Sequence, residues 1–455
     1  MRFHNYIKNA SREAVVEGVR TIKRYHIGSN KILSERNPLV LNSIKSVKKH
    51  TDATNSYLIK QSNINSFLAA SSLSHLLDGW QYLSNAFNAL LNGDESTTIH
   101  LAYYAELRSA MSILATEGIG VFNDKHIGVY SPNINREIPY NYYKGNPPTA
   151  KYVQTRSPTH TFVWDMMEKW TNSAYKSNND ILKIFKVHGK DFYDITEYFH
   201  PSTAGSTLLT VKTVKQWLKE WCFDIKQYRN DRDNRNEASY RPQRIINFNQ
   251  TVNFQTIISD LENYWSIISP SGADKFSLLD RYLLRKLFDT LYSQITTTSS
   301  KNDLIIDAFT QLGINDNILF NFLNYQAPFQ DDHKIFQQAG LKKTTTLSIL
   351  ARATLLLRIT IGLVSQLYKD GGIQREELNF VWNQYALDSG FWSNGNLYHD
   401  FNNLWSDVET SISDLKMDIN NVHMSTDLFS IKSRRPQEII HFSQINRACL
   451  WGLDF

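Results

Sequence analysis

Along most of the chain, apolar residues recur every three or four positions, a spacing that lines one face of a helix. Segments 10–25, 64–92, 98–117, 160–176, 207–228, 276–292, 302–325, 345–368, 402–416 and 436–451 read as helices on this basis. Strand-like alternation is rare and short. The expected fold class is all-α, built from multi-helix bundles. Asp78-Gly79 is a candidate kink or break in 64–92, and Gly93-Asp94 ends that segment. In the next segment, TIHLAYYAELRSAMSILATE, the residues Tyr103, Tyr104, Leu107, Ala110, Met111 and Leu114 form one apolar stripe. Ala102, Ala105, Ser109, Ser112 and Ala115 flank it and permit close helix approach, and Gly118 and Gly120 stop the helix. Residues 130–160, rich in Pro, Asn and Tyr, read as a long aperiodic loop.

Composition narrows the class. Hydrophobic residues make up 42% of the 455, enough to bury sizeable cores and to exclude wholesale disorder. With 49 basic and 44 acidic side chains the formal net charge is +5, which excludes a polybasic protein but not a local basic patch. Cys222 and Cys449 cannot by themselves form a disulfide framework or a zinc site, so a reducing, cytoplasmic setting is expected. The start of the chain lacks the apolar run of a signal peptide. The longest apolar stretch, 347–367, is interrupted by Arg352 and Arg358. Each arginine would cost roughly 2.5–3.5 kcal/mol at a bilayer centre, so the stretch reads as a buried helix and no membrane is expected. A buried arginine needs a partner, and Asp370, Glu376, Glu377, Asp400 and Asp407 are the candidates, with a phosphate or carboxylate pocket as the alternative use.

The length suits two helical units separated by the polar stretch 294–302. The expected layout is an N-terminal helical extension over 1–60, a helical domain with an inserted loop over 61–294, and a C-terminal helical domain over 302–455. Ser239–Ile246 (SYRPQRII) and Ser433–Ile440 (SRRPQEII) agree at six of eight positions, so the C-terminal part reads either as a divergent repeat or as a chance likeness.

Residues 103–129, YYAELRSAMSILATEGIGVFNDKHIGV, resemble the first long helix and following loop of the HEPN superfamily, including its YaaC-like branch. Lys125-His126-Ile127-Gly128-Val129 stands at the loop motif. Arg235-Asn236-Glu237-Ala238-Ser239-Tyr240 is similar to the closing motif, in which an Arg-Asn pair precedes a histidine. The two pieces bracket about 100–245, which makes 61–294 the HEPN-like domain of the expected layout. The resemblance implies paired helical bundles, with active members acting as metal-independent ribonucleases through an arginine and a histidine near a dimer interface. Cleaving RNA through its own 2′-OH needs a proton acceptor of near-neutral pKa and a cation for the phosphorane charge.

Here the histidine is replaced by Tyr240, whose reference pKa of about 10 makes a poor base. His126 stands in for the missing base only if its loop returns toward Tyr240. Arg235 remains suited to phosphate, assisted by Asn236 and Arg232, because guanidinium is always charged and binds in a bidentate fashion. Tyr240 then positions or hydrogen-bonds, or is simply packed. Glu106 and Arg108 are two residues apart and point to different sides, so either can face Arg235 across the bundle, or neither. Segment 229–244 holds Arg229, Arg232, Arg235, Arg241 and Arg244 with Asp231, Asp233 and Glu237. It reads as an electropositive rim, or as a solvated helix end laced with local ion pairs.

Phosphate-binding GKS/T loops, dinucleotide fingerprints, HExxH and CxxC are absent, and no cofactor is expected. Asp331-Asp332-His333 is a weak metal candidate, and HPSTAGS at 200–206 lacks a nucleophile elbow. The expectation is a nucleotide- or RNA-associated helical protein of a bacterial defence or toxin-like system, with a protein partner in a multi-component assembly or as a homo-oligomer, and doubtful nuclease activity. The alternative is a non-catalytic helical scaffold that binds a protein through its aromatic surface.

Overall fold

The computed structural model describes residues 3–25, 61–122, 125–138, 140–144, 151–155, 158–172, 178–199, 211–221, 223–240, 254–272, 274–295, 297–378, 381–392, 402–421 and 428–454. The fold is all-α, a multi-helix assembly with a few short strands. Its helices are α1 (Phe3–Asn9), α2 (Arg12–Tyr25), α3 (Gln61–Leu91), α4 (Glu95–Thr116), α5 (Thr159–Thr171), α6 (Asn178–Lys183), α7 (Phe192–Phe199), α8 (Val211–Glu220), α9 (Ile225–Tyr240) and α10 (Phe254–Ile268). Next come α11 (Ser277–Tyr292), α12 (Lys301–Leu312), α13 (Asn317–Leu323), α14 (Lys334–Ala339) and α15 (Thr346–Asp370). The last are α16 (Asn402–Asn420), α17 (Leu428–Arg434), α18 (Pro436–Ser443) and α19 (Ala448–Leu453).

Three helices make the centre. α4 packs most extensively on α3 and α15, and α15 also packs on α3. The small residues of α4 explain the closeness. A side chain at Gly79 of α3 would meet Leu357 of α15 at 3.0 Å and Ser109 of α4 at 3.4 Å, so glycine is kept where the three helices meet. α3 therefore runs unbroken through Asp78-Gly79, where a kink was expected. Ser112 Oγ donates to the Ser72 carbonyl at 2.5 Å and fastens the same seam. α15 is long and apolar enough to cross a membrane, but 94% of its most apolar window is buried among the other helices. Its start is held by a Thr345–Ser348 capping box.

Apolar residues from Tyr6 to Leu453 join one buried cluster. The polar stretch at 294–302 leaves no gap in it, since α15 lies against α3 and α4 from the other side of that stretch. Ser300 instead caps α12 in a box with Asp303.

The stretch 119–155 contains strands where a loop was expected. β1 (Ile119–Phe122), β2 (Lys125–Ser131) and β3 (Ile134–Glu137) form an antiparallel sheet in that order, and β4 (Tyr140–Lys144) pairs with β5 (Lys151–Thr155). Gly118 makes the turn out of α4 at φ +89°, with Ser11 and Val129 backbone atoms 3.0–3.2 Å from where a side chain would begin. His126, Ile127, Gly128 and Val129 are buried in succession, so β2 lacks the polar–apolar alternation that marks a strand.

The helix expected over 207–228 is two. α8 ends at Glu220, and α9 starts at Ile225 and continues through the polar run to Tyr240. Likewise 302–325 splits at Gly313, where φ is +68°. Residues 200–210 and 241–253 lie outside the described residues, so HPSTAGS, Arg241, Arg244 and most of the first SYRPQRII copy are not placed.

Candidate anion-binding site

α9 lies across α4 and also touches α5, so the helix that carries YYA meets the arginine-rich segment. Tyr228, Asp231, Arg235 and Ala238 are spaced at helical intervals on its packed side. Arg229, at the flank, bridges to Asp165 at 2.8 Å and Glu168 at 2.7 Å on α5. Arg232 pairs with Asp233 at 3.0 Å. The interhelical pairs of Arg229 replace the purely local ion pairs expected of a solvated helix end.

Arg235 differs from both. Its guanidinium lies 5.2 Å from the Tyr103 ring centre and 5.4 Å from that of Tyr104. It forms no ion pair with a described residue, and its Nε is buried without a hydrogen-bond partner among them. Each cation–π contact contributes about 0.5–1 kcal/mol, which steadies the group without using its N–H edges. A planar fork held in this way matches the oxygens of a phosphate or carboxylate.

Two half-buried histidines flank it. His100 Nδ1 is 2.6 Å from Ser239 Oγ, and His160 Nδ1 is 2.9 Å from the Tyr103 hydroxyl. Trp164 Nε1–H donates to that hydroxyl at 3.2 Å, so Tyr103 is held between the indole and His160. Burial lowers His160 to about 4, and Arg235 and Arg232 add to the shift. Burial and then Arg235 lower His100 as well. Burial raises the Tyr103 hydroxyl. The Tyr104 ring gathers the group, with His100 at 5.0 Å, Tyr82 at 5.4 Å and His160 at 6.1 Å between ring centres.

A buried network lies one turn below. Arg352 of α15 grips Asp231 with two hydrogen bonds of 2.6 Å, and Thr344 donates to the same carboxylate at 2.5 Å. Glu106 is fully buried 4.0 Å from Arg352, with no donor among the described residues on either oxygen, and its carboxyl faces that of Asp231 at hydrogen-bonding range. Burial and the Asp231 charge hold its carboxyl well above the usual range, against a smaller opposing pull from Arg352.

The expected site residues thus separate. Arg235 is central, Arg232 reaches the same histidine electrostatically, and Glu106 supports from below through Arg352 and Asp231. Asn236 is exposed beside them, and Tyr240 is 80% exposed at the end of α9, away from the packed face. Arg108 turns the other way, to His75 at 3.0 Å and Asp78 at 3.6 Å on α3. His126 is buried in β2 with its ring stacked on Phe162 at 3.6 Å, so it belongs to the sheet rather than to the Arg235 cluster.

No family model, curated protein or solved structure matches the chain.

His100, His160 and the ring pair Tyr103–Tyr104 as arginine partners were not anticipated. His100 sits three and four residues before the tyrosines, a spacing that could have marked it; His160, distant in sequence, carried no signal. The partners of the core arginines also differ from those expected. Arg358 binds Asp280 at 2.7 and 2.9 Å, whereas Asp370 pairs with Arg12, Glu377 with Lys23 and Asp407 with Arg447. Asp400 lies outside the described residues. Asp332 pairs with Arg285 and Lys286, and His333 caps α14, so that tripeptide is used structurally. Among the described residues no group of three His, Cys, Asp or Glu side chains could hold a metal.

Proposed function

We propose that the chain is a nucleotide- or RNA-associated protein of HEPN-like character, a component of a bacterial defence or toxin-like system, which holds phosphate at Arg235. The observation that carries this reading is a guanidinium fixed over two tyrosine rings with no carboxylate on it among the described residues. The contact between the YYA helix and the Arg235 segment supports it further. Binding rather than cleavage is the activity proposed, because Tyr240 stands at the place of the motif histidine and is 80% exposed at the end of α9.

Arg235→Ala tests the reading. It should weaken binding of a short oligoribonucleotide roughly tenfold to a hundredfold, the worth of a charge-assisted hydrogen bond or two. The melting temperature should stay close to that of the parent. Unchanged binding in a folded variant would reject the assignment. A second reading, a scaffold for a protein partner, draws on the exposed Phe429 (83%), Met417 (61%) and Ile440 (53%) in the C-terminal helices. That reading expects a stable protein complex free of nucleic acid.

A further inference from the structure

We infer that anion binding at Arg235 is coupled to uptake of one proton by His100. The inference rests on the phosphate reading of Arg235 and concerns how that same site is regulated. Ser239 Oγ has one hydrogen, which it donates to the Arg235 carbonyl at 2.9 Å. Its oxygen therefore accepts from His100 Nδ1–H across 2.6 Å. The neutral ring is left with its lone pair on Nε2, which makes no hydrogen bond to a described residue. A proton placed there breaks no hydrogen bond to a described residue and adds a positive charge within electrostatic reach of Arg235. His160 is held differently: its Nδ1 is engaged with the Tyr103 hydroxyl, which Trp164 also holds, and burial with Arg235 and Arg232 lowers it to about 4.

The groups facing His100 are few. α9 presents Arg235 and Ser239, α4 itself presents Tyr103 and Tyr104, α3 contributes Tyr82 across the Tyr104 ring, and α5 contributes the neutral His160. Among the described residues Arg235 is the charge that acts on His100, and it opposes a second cation near it. An anion seated on Arg235 cancels that repulsion. The ring then takes a proton from solvent, and the site gains one positive charge. Affinity therefore rises as pH falls through the value that His100 holds in the complex, and levels off below its value in the free protein.

Calorimetry on the full chain tests this, with a short oligouridylate bearing hydroxyl ends as the probe, since its phosphodiesters keep their charge across the range. Titrations in buffers of different ionisation enthalpy should show fractional proton uptake. Affinity should rise roughly threefold to tenfold between about pH 8 and about pH 6. His100→Gln should lose the uptake and the rise in affinity at low pH. Binding with flat affinity and no uptake overturns the linkage while the Arg235 reading stands. Uptake that persists in His100→Gln overturns the assignment to His100. Absence of binding at every pH overturns both. If His100→Gln fails to fold, the His100 ring resonances of the parent decide the matter: a midpoint that rises on binding supports the linkage, and an unmoved midpoint rejects it.

Discussion

Arg358 and Arg352 on α15 and Arg235 on α9 are the same side chain in opposite circumstances. The first two are buried and saturated. Arg358 grips Asp280, donates to the Ile184 carbonyl and stacks near Phe185 and Phe276, while Arg352 grips Asp231 and adds the carbonyls of Ala339 and Leu341. Among the described residues Arg235 keeps only the aromatic half of such an arrangement. A buried guanidinium requires a carboxylate, because leaving it unpaired costs several kcal/mol. A half-buried one can leave the carboxylate position open to solvent, and that position is then available to an anionic ligand. Aromatic stacking alone does not distinguish the two uses, since Arg285 also lies over three rings yet is held by Asp332.

The largest effect that would break this contrast is on the saturated side. Asp280→Ala strands Arg358 and the Lys186 backbone N–H, and should cost about 3–5 kcal/mol in urea unfolding. A loss below about 1 kcal/mol would show that the pair is not structural. The Arg352–Asp231 pair sharpens the point. Asp231→Leu and Arg352→Met should each destabilise by a similar amount, while the double variant recovers much of the loss because no charge is left stranded. Simple additivity would contradict it. On the open side, Arg235→Ala should move stability by no more than about 1–2 kcal/mol, the sum of two cation–π contacts, while ligand affinity falls.

A smaller effect follows from pH. Burial lowers His333 to about 4 and His75 to about 3, with Arg108 adding to the second shift. The unfolded chain takes up these protons first, near the ordinary value of about 6.5, so their contribution to stability is complete above that value and declines as pH falls toward 4. His333→Asn keeps an N-cap for α14 and should narrow the drop in melting temperature between about pH 7 and about pH 5. An unchanged drop would exclude His333 as a source. The smallest effect is expected of Tyr240→His, which should alter neither binding nor stability, since Tyr240 is 80% exposed.

Local pattern revealed much of the helical framework and little of the site. The stripe of α4, its small flanks and its glycine stop were legible because burial on one face imposes the helical period on the sequence. The strand character of β2 is hidden because its residues 126–129 are buried in succession and so lose their alternation. The continuation of α9 through RNDRDNRNEASY was hidden by its polarity, since only four of its residues, Ile225, Tyr228, Asp231 and Ala238, are buried. Arg235 could be singled out from its neighbours in sequence. Its free state could not, because that depends on which carboxylates other helices bring near it.

The periodicity of the chain was sufficient to require an all-α fold with α4 and α15 as buried helices, because the cost of exposing their apolar residues is local and additive. Which arginine is spent on the core and which is left open was decided by the tertiary structure. Pairing acts over a few ångströms, and the partners in question, Asp231 with Arg352 and Asp280 with Arg358, are 121 and 78 residues apart along the chain. His160 meets the Tyr104 ring for the same reason: packing of α5 on α4 sets that distance, whereas His100 reaches the ring within α4, four residues away.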